Sequence, residues 1–293
     1  MVKQKVHAIL TDYDGTLVHT ADAKNPYTNA VPKELKEILE KICSEIPVCV
    51  ISTKDFEFLK NKVTTFVRIL SCMMGIETLV LRNPCSSPII VEKRLLNAGL
   101  RVLQLKSNTL EAIAEEISSC EEFSSMLIER KHTSDGILAG LTIDWRHLSG
   151  DWSHYKRGIT HFVSGMVANL NKPPSPLDIC VQKYSEHPFV DIYSIKCNKD
   201  IAFDTVISEL PYRSAHGKGI LYLGDSENDN PAFRKAEISI GIRSDARENP
   251  KLDCNYLLDY EQLSSFLMKL KNNDYLFNDD DELLMGGKAK KHE

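Results

Sequence analysis

Two apolar runs of the chain each end in a pair of aspartates, and this repeated pattern constrains the fold more than any other feature. A run near the start leads into Asp12 and Asp14, and another, far along the chain, leads into Asp225 and Asp229. In an open parallel sheet, ligands gather outside the carboxyl ends of the strands, so two such strands can deliver their carboxylates to one cleft. The sequence therefore predicts an α/β fold with a Rossmann-like, doubly wound parallel sheet.

The first acidic motif has the residue types that phosphate chemistry needs. Residues i and i+2 of a strand point the same way, so Asp12 and Asp14 can converge. Gly15 permits a sharp turn, and Thr16 offers a hydroxyl and an N–H group. The same spelling occurs in calcium loops and ordinary turns, but residues 19–23 lack the further oxygen ligands of a calcium loop. The motif therefore favours a catalytic site over a calcium loop.

The second acidic motif predicts a metal ion. Helix capping by Asp225 or Asp229 is the simplest alternative, since Asp is common at helix N-termini. Capping explains either residue alone, but it does not explain two matched strand ends. Four carboxylates in one place repel each other unless a cation lies among them, and an all-oxygen ligand set suits Mg2+.

These motifs resemble those of the haloacid dehalogenase superfamily of phosphatases, which use an aspartate nucleophile. The resemblance implies that Asp12 attacks phosphorus and that Asp14 is the general acid and base. It also implies that Mg2+ is bound by Asp12, the backbone carbonyl of Asp14, Asp225 and Asp229.

The same resemblance supplies the phosphate-binding residues. Ser52 follows the apolar run 47–51 and matches the Ser or Thr that the family has after its second strand. Lys199 matches the family's lysine before a helix, with Lys196 as the rival candidate. Ser52 and the backbone of Thr16 are then expected to donate hydrogen bonds to the phosphoryl oxygens.

The spacing of the motifs locates an inserted domain. About 40 residues separate Asp12 from Ser52, whereas about 147 separate Ser52 from Lys199, so the insertion lies in the second gap. Periodicity and turn residues predict an α+β cap of order αββαββ: helix 109–126, strands 127–131 and 136–145, helix 154–170, and strands 177–184 and 189–194. The predicted domains are core 1–82, cap 83–187, core 188–271 and a flexible tail 272–293.

Within the superfamily, the chain most resembles the trehalose-phosphatase and sucrose-phosphatase branch. Residues 12–17 spell Asp-Tyr-Asp-Gly-Thr-Leu, as that branch does, and residues 74–77 resemble its His-Gly-x-Glu motif. The resemblance implies a substrate that is a sugar phosphate monoester, with trehalose 6-phosphate or a related compound as the first candidate. The alternatives are a phosphomutase with the same aspartyl-phosphate chemistry and a non-catalytic sugar-binding or scaffold subunit.

The cap supplies the candidate sugar-binding residues. Residues 128–131 resemble the branch's Glu-x-Lys cap motif, which implies that Glu129 and Lys131 donate or accept hydrogen bonds with sugar hydroxyls. Arg146 is a third candidate. The alternative is an exposed strand whose charged side chains face water.

Composition limits the remaining possibilities. The chain has 293 residues, enough for two domains, and 42% hydrophobic residues, enough for two cores. With 36 basic and 41 acidic residues, its formal charge is −5, and it has no basic patch typical of nucleic-acid binding. The eight cysteines form no close metal-binding pair, and neither a membrane span nor a signal peptide is evident. We therefore expect a cytoplasmic protein with reduced thiols and no membrane partner; the oligomeric state stays open.

Overall fold

The computed structural model describes residues 4–23, 28–82, 89–96, 99–149, 152–173, 177–185, 187–211, 217–244 and 251–285. The chain divides into two compact units. The core unit comprises Met1–Thr53, Phe58–Arg94 and Asn198–Glu293, and the cap unit comprises Lys54–Glu57 and Leu95–Cys197. The cap is thus inserted in the sequence of the core, as the spacing of the motifs predicts.

The strands of the described residues are, in chain order, β1 (Gln4–Lys5), β2 (Ala8–Thr11), β3 (Val48–Ile51), β4 (Ile69–Cys72), β5 (Glu77–Arg82), β6 (Ile89–Leu95), β7 (Leu127–His132), β8 (Leu138–Asp144), β9 (Cys180–Lys183), β10 (Phe189–Tyr193), β11 (Ile220–Gly224), β12 (Ile238–Arg243), β13 (Tyr256–Asp259) and β14 (Leu276–Phe277). The helices are α1 (Thr20–Ala23), α2 (Lys33–Cys43), α3 (Phe56–Val63), α4 (Gly99–Ser119), α5 (Trp152–Leu170), α6 (Lys199–Ser208), α7 (Asn230–Phe233) and α8 (Leu263–Asn272).

The core unit is built on one sheet with strand order β13-β12-β11-β2-β3-β4-β5-β6. The strands from β13 to β4 pair in parallel, and β5 pairs antiparallel with β4. All residues of β2, β3 and β11 are buried, as expected for parallel strands covered on both faces. The predicted α/β class with a Rossmann-like sheet is confirmed.

The cap unit has a separate antiparallel sheet with strand order β7-β8-β10-β9. Buried apolar residues of α4 and α5, such as Ile113 and Val163, pack with Leu141 and Ile143 of β8 in one hydrophobic cluster. A four-stranded sheet needs such a covering layer because its apolar face is otherwise exposed to water. The predicted αββαββ order is the observed one, although α4 spans Gly99–Ser119 rather than residues 109–126.

The observed boundaries of the cap differ from the predicted ones. Strand β6 lies beside β5 in the core sheet, so the cap begins at Leu95 rather than at residue 83. Strand β10 pairs with β8 and β9 in the cap sheet, so the cap ends at Cys197 rather than at residue 187. In both places backbone pairing decides the boundary, and the sequence spacing does not show which partner a strand takes.

Part of the predicted flexible tail is ordered. Strand β14 pairs with β1, and Met285 forms a β-bridge with Leu257 of β13. Phe277 is 2% exposed, so this segment contributes to the core unit. Residues 286–293 lie outside the described part of the chain. Among the described residues, no helix combines the length and the apolarity that crossing a bilayer requires.

Candidate active site

The two acidic motifs meet because their strands are neighbours. Strands β2 and β11 pair in parallel, with Thr11 opposite Leu223, so both chains leave the sheet at the same edge. The Asp12 N–H donates to the Leu223 carbonyl at 2.9 Å. Asp12 therefore lies beside the turn that carries Asp225, as the sequence predicts.

A glycine permits the close approach of the two motifs. Gly15 has φ +80°, a conformation that favours glycine, and a Cβ atom on it would lie 1.9 Å from Asp225 Oδ2. Any side chain at this position would displace the Asp225 carboxylate. Thr16, which follows, is buried, and its hydroxyl lies 3.5 Å from Asp225 Oδ1.

A buried lysine lies between two of the carboxylates. Lys199 is the first residue of α6, whose N-cap residue Asn198 accepts a hydrogen bond from the Ile201 N–H. Its Nζ lies 3.0 Å from Asp12 Oδ1 and 2.6 Å from Asp229 Oδ1, and the residue is 0% exposed. Burial opposes the charged form, but the two aspartates raise the pKa of Lys199 above its usual value.

The rival lysine lies elsewhere. Lys196 is exposed, whereas Lys199 contacts Asp12 directly. The structure thus places Lys199, rather than Lys196, in the carboxylate cluster.

The Asp229 side chain accepts hydrogen bonds from several donors that sequence reasoning missed. The Tyr222 hydroxyl donates to Asp229 Oδ1 at 2.6 Å. The backbone N–H groups of Asp225 and Ser226 each donate to Asp229 Oδ2 at 3.2 Å. The one signal in the sequence is a tyrosine in the otherwise aliphatic strand β11. Buried phenols need a hydrogen-bond partner, so Tyr222 orients Asp229.

The cluster has an excess of negative charge. Oxygen atoms of Asp12, Asp225 and Asp229 all lie within 4.8 Å of one another. Burial raises the pKa of Asp12 to about 7, with Lys199 opposing the shift and Asp229 adding to it. Burial, followed by the repulsion from Asp12, raises the pKa of Asp225 well above its usual value. One ammonium does not balance three carboxylates, so this all-oxygen set fits a hard divalent cation.

The remaining core residues of the prediction lie at the same edge of the sheet. Ser52 follows β3, the neighbour of β2, and is 1% exposed. Its N–H donates to the Ser71 carbonyl, and its carbonyl accepts from the Met74 N–H, each at 2.9 Å. Asp14 is partly buried, and the Asn29 side chain donates to its Oδ1 at 3.0 Å.

Solved structures share this architecture across nearly the whole chain. The C-terminal domain of the C. albicans trehalose-6-phosphate phosphatase is 18% identical, with a TM-score of 0.63 over 92% of this chain and 93% of that one. A trehalose-6-phosphate phosphatase related protein is 17% identical, with a TM-score of 0.61 over 91% and 97%. A haloacid dehalogenase-like hydrolase from Bacteroides thetaiotaomicron is 15% identical, with a TM-score of 0.60 over 91% and 100%.

The chain has the haloacid dehalogenase fold. The resemblance drawn from the sequence motifs is thereby confirmed at the level of the fold. Comparison of the sequence with known families and proteins does not find this similarity, since no protein-family model and no curated protein matches the chain.

In this haloacid dehalogenase fold, the cap unit has its own charged residues. Glu129 on β7 pairs with Lys54 of the same unit, with 3.1 Å between Nζ and Oε2. Burial opposes its ionisation, but Lys54 and Lys131 lower the pKa of Glu129 below its usual value. Arg146 lies 2.6 Å from Asp144 Oδ2. The sugar-binding roles of Glu129 and Arg146 stay predictions.

Lys131 lies in a buried network of the cap. Its Nζ is 3.0 Å from Asp191 Oδ1 and donates to the Tyr193 hydroxyl at 3.3 Å. Thr142 also donates to Asp191 Oδ1, and Tyr184 donates to Asp191 Oδ2 at 2.7 Å. Both Lys131 and Asp191 are 1% exposed. The predicted role of Lys131 in sugar binding is likewise untested.

Proposed function

We propose that this protein is a magnesium-dependent phosphatase that hydrolyses a sugar phosphate monoester through an aspartyl-phosphate intermediate. The observation that carries the proposal is the position of Lys199, which contacts both Asp12 and Asp229 while Asp225 adds a further carboxylate. Asp12 can serve as the nucleophile, the Lys199 ammonium can bind the phosphoryl group, and the remaining carboxylates can hold a metal ion. This combination at the carboxyl edge of a parallel sheet suits phosphoryl transfer.

The acidic set fits Mg2+. Asp12, the backbone carbonyl of Asp14, Asp225 and Asp229 would hold the ion, with Asp229 bound directly or through water. When bound, Mg2+ would neutralise charge on the phosphoryl group and on the attacking carboxylate.

The protein's own residues supply the chemistry. The Asp12 carboxylate forms a bond to phosphorus as the bond between phosphorus and the sugar oxygen breaks, and Asp14 gives its proton to that oxygen. Lys199, Ser52 and the Thr16 N–H bind the phosphoryl oxygens. Asp14 then takes a proton from the water that attacks phosphorus, which releases phosphate and restores Asp12.

The substrate class rests on the cap and on the solved structures. Two of the similar proteins are named for trehalose 6-phosphate, which makes that compound the first candidate substrate. Glu129, Lys131 and Arg146 are the proposed sugar-binding side chains of the cap. No disulfide joins the described cysteines, which supports a reducing compartment, and we propose the cytoplasm.

Phosphate release from a panel of sugar phosphates, with Mg2+ and with EDTA, tests the function. We expect hydrolysis of at least one sugar phosphate with Mg2+, loss of that activity in EDTA, and recovery when Mg2+ is restored. Asp12→Asn is the matched control, because the amide keeps the size of the side chain and removes the nucleophile. No release from any ester, or full activity in Asp12→Asn, would contradict the proposal.

A further inference from the structure

The proposed proton donor is held by a residue outside every motif discussed above. Asn29, between α1 and α2, donates from Nδ2 to Asp14 Oδ1 at 3.0 Å. Asn29 is 4% exposed, so water competes little for this hydrogen bond. A hydrogen bond to one carboxylate oxygen restricts the rotation of the whole group and so fixes the position of the other oxygen.

Two donors fix the orientation of the Asn29 amide. Lys62 Nζ lies 3.1 Å from Asn29 Oδ1 and also donates to the Asn29 carbonyl. The Tyr13 hydroxyl donates to the same Oδ1 at 3.0 Å. An ammonium has only donors, so the amide oxygen must face Lys62 and the amide NH2 must face Asp14. The direction of the hydrogen bond to Asp14 therefore follows from its neighbours.

Helix α3 holds these neighbours in place. Lys62 and Phe58 lie one turn apart on α3, and Lys62 Nζ lies 4.2 Å from the centre of the Phe58 ring. The Phe58 ring contacts Tyr13 edge-on, with 6.0 Å between ring centres. The amide of Asn29 is thus enclosed by groups that contact one another.

We propose that Asn29 is a positioning residue for the acid role of Asp14, an inference that rests on the proposed phosphatase function. Its Nδ2–H keeps Asp14 Oδ1 as a hydrogen-bond acceptor, so the transferable proton of Asp14 lies on Oδ2. Oδ2 gives that proton to the leaving oxygen as the ester bond breaks, and later takes one from the attacking water. Loss of Asn29 lets the protonated carboxyl rotate away from this geometry.

The leaving group reports on this role. A sugar alkoxide needs the proton, whereas 4-nitrophenolate leaves without it. For Asn29→Leu, we expect kcat/KM, which reports cleavage of the ester bond and not the later attack of water, to fall about 10- to 100-fold on trehalose 6-phosphate, or on the panel sugar phosphate that the wild type hydrolyses fastest, and less than about threefold on 4-nitrophenyl phosphate. Asn61→Leu, the same change at an exposed position of α3, is the control and is expected to alter neither rate.

A second variant covers the case in which Asn29→Leu fails to fold. Lys62→Met keeps Asn29 but removes one of the two donors that orient its amide, so we expect a smaller loss with the same preference for the sugar ester. An equal loss on both esters in either folded variant, or no loss in either, overturns the role of Asn29 while the phosphatase function stands. A wild type that releases phosphate from neither ester overturns the function and this inference together.

Discussion

The core and the cap each bury a lysine among carboxylates, but the two clusters differ in charge balance. Lys199 lies with Asp12, Asp225 and Asp229, and burial together with mutual repulsion raises the pKa of Asp225. Lys131 forms a buried ion pair with Asp191. An excess of buried negative charge is unfavourable without a cation, which is why it indicates a metal site.

The cap cluster is balanced. Burial alone would raise the pKa of Asp191, but Lys131 and hydrogen bonds from Thr142 and Tyr184 lower it below its usual value. Lys131 and Asp191 neutralise each other, so this pair does not call for a further cation. The two clusters thus differ in charge count, since three carboxylates surround one ammonium in the core, whereas Asp191 and Lys131 form a one-to-one pair in the cap.

The largest effect should come from the nucleophile. Asp12→Asn should lower phosphate release by about 10^4-fold or more, since an amide neither attacks phosphorus nor binds a cation well. Removing one of the crowded charges should leave the unfolding temperature of the metal-free protein unchanged or higher. A steady-state phosphate assay and thermal unfolding measure the two effects. Near-wild-type activity in Asp12→Asn would show that another residue is the nucleophile.

Asp191→Asn should have the opposite effect on stability. It leaves Lys131 charged, buried and without its counter-charge, which costs about 3–5 kcal/mol in comparable cases. Urea unfolding should show this loss. The double variant Asp191→Leu with Lys131→Met removes both charges, so we expect it to recover much of the stability. If Asp191→Asn unfolds like the wild type, the balanced cluster is not structural.

The Lys54–Glu129 ion pair of the cap is more exposed than the two buried clusters, since its side chains are 20% and 42% exposed. Glu129→Gln should lower kcat/KM for the sugar phosphate by about tenfold, the value of one hydrogen bond, and should spare 4-nitrophenyl phosphate. Glu111→Gln is the control, since Glu111 pairs with Arg130 on the same unit at similar exposure. Equal losses on both esters in Glu129→Gln would contradict the proposed contact between Glu129 and the sugar.

The smallest expected effect is a change in how the stability of the protein depends on pH below neutrality. Asp191 has a lowered pKa in the folded protein, so its contribution to stability is complete above the pKa of the unfolded chain and is lost as pH falls through the lowered value. The wild type should therefore lose stability below about pH 4 more steeply than the double variant that lacks the pair. Parallel unfolding curves for the two proteins would contradict the assignment.

The sequence predicted the residues that end strands, because an apolar run followed by acids is a local pattern. It therefore located Asp12, Ser52 and Asp225 at one edge of the sheet, and the αββαββ order of the cap. It did not predict Asn29 or Tyr222, whose roles depend on contacts with residues that a single sequence does not identify as neighbours. The sequence also did not predict which strands pair, and for this reason the observed positions of β6 and β10 changed the domain boundaries.

We propose that the core cluster requires a divalent cation, and thermal unfolding with and without Mg2+ tests this requirement directly. We expect Mg2+ to raise the unfolding temperature of the EDTA-treated wild type, since a ligand that binds only the folded state stabilises it. The same rise should appear in Asp191→Asn and be absent in Asp225→Asn, whose metal-free form should be at least as stable as the wild type. No rise in the wild type, or an equal rise in Asp225→Asn, would contradict the claim.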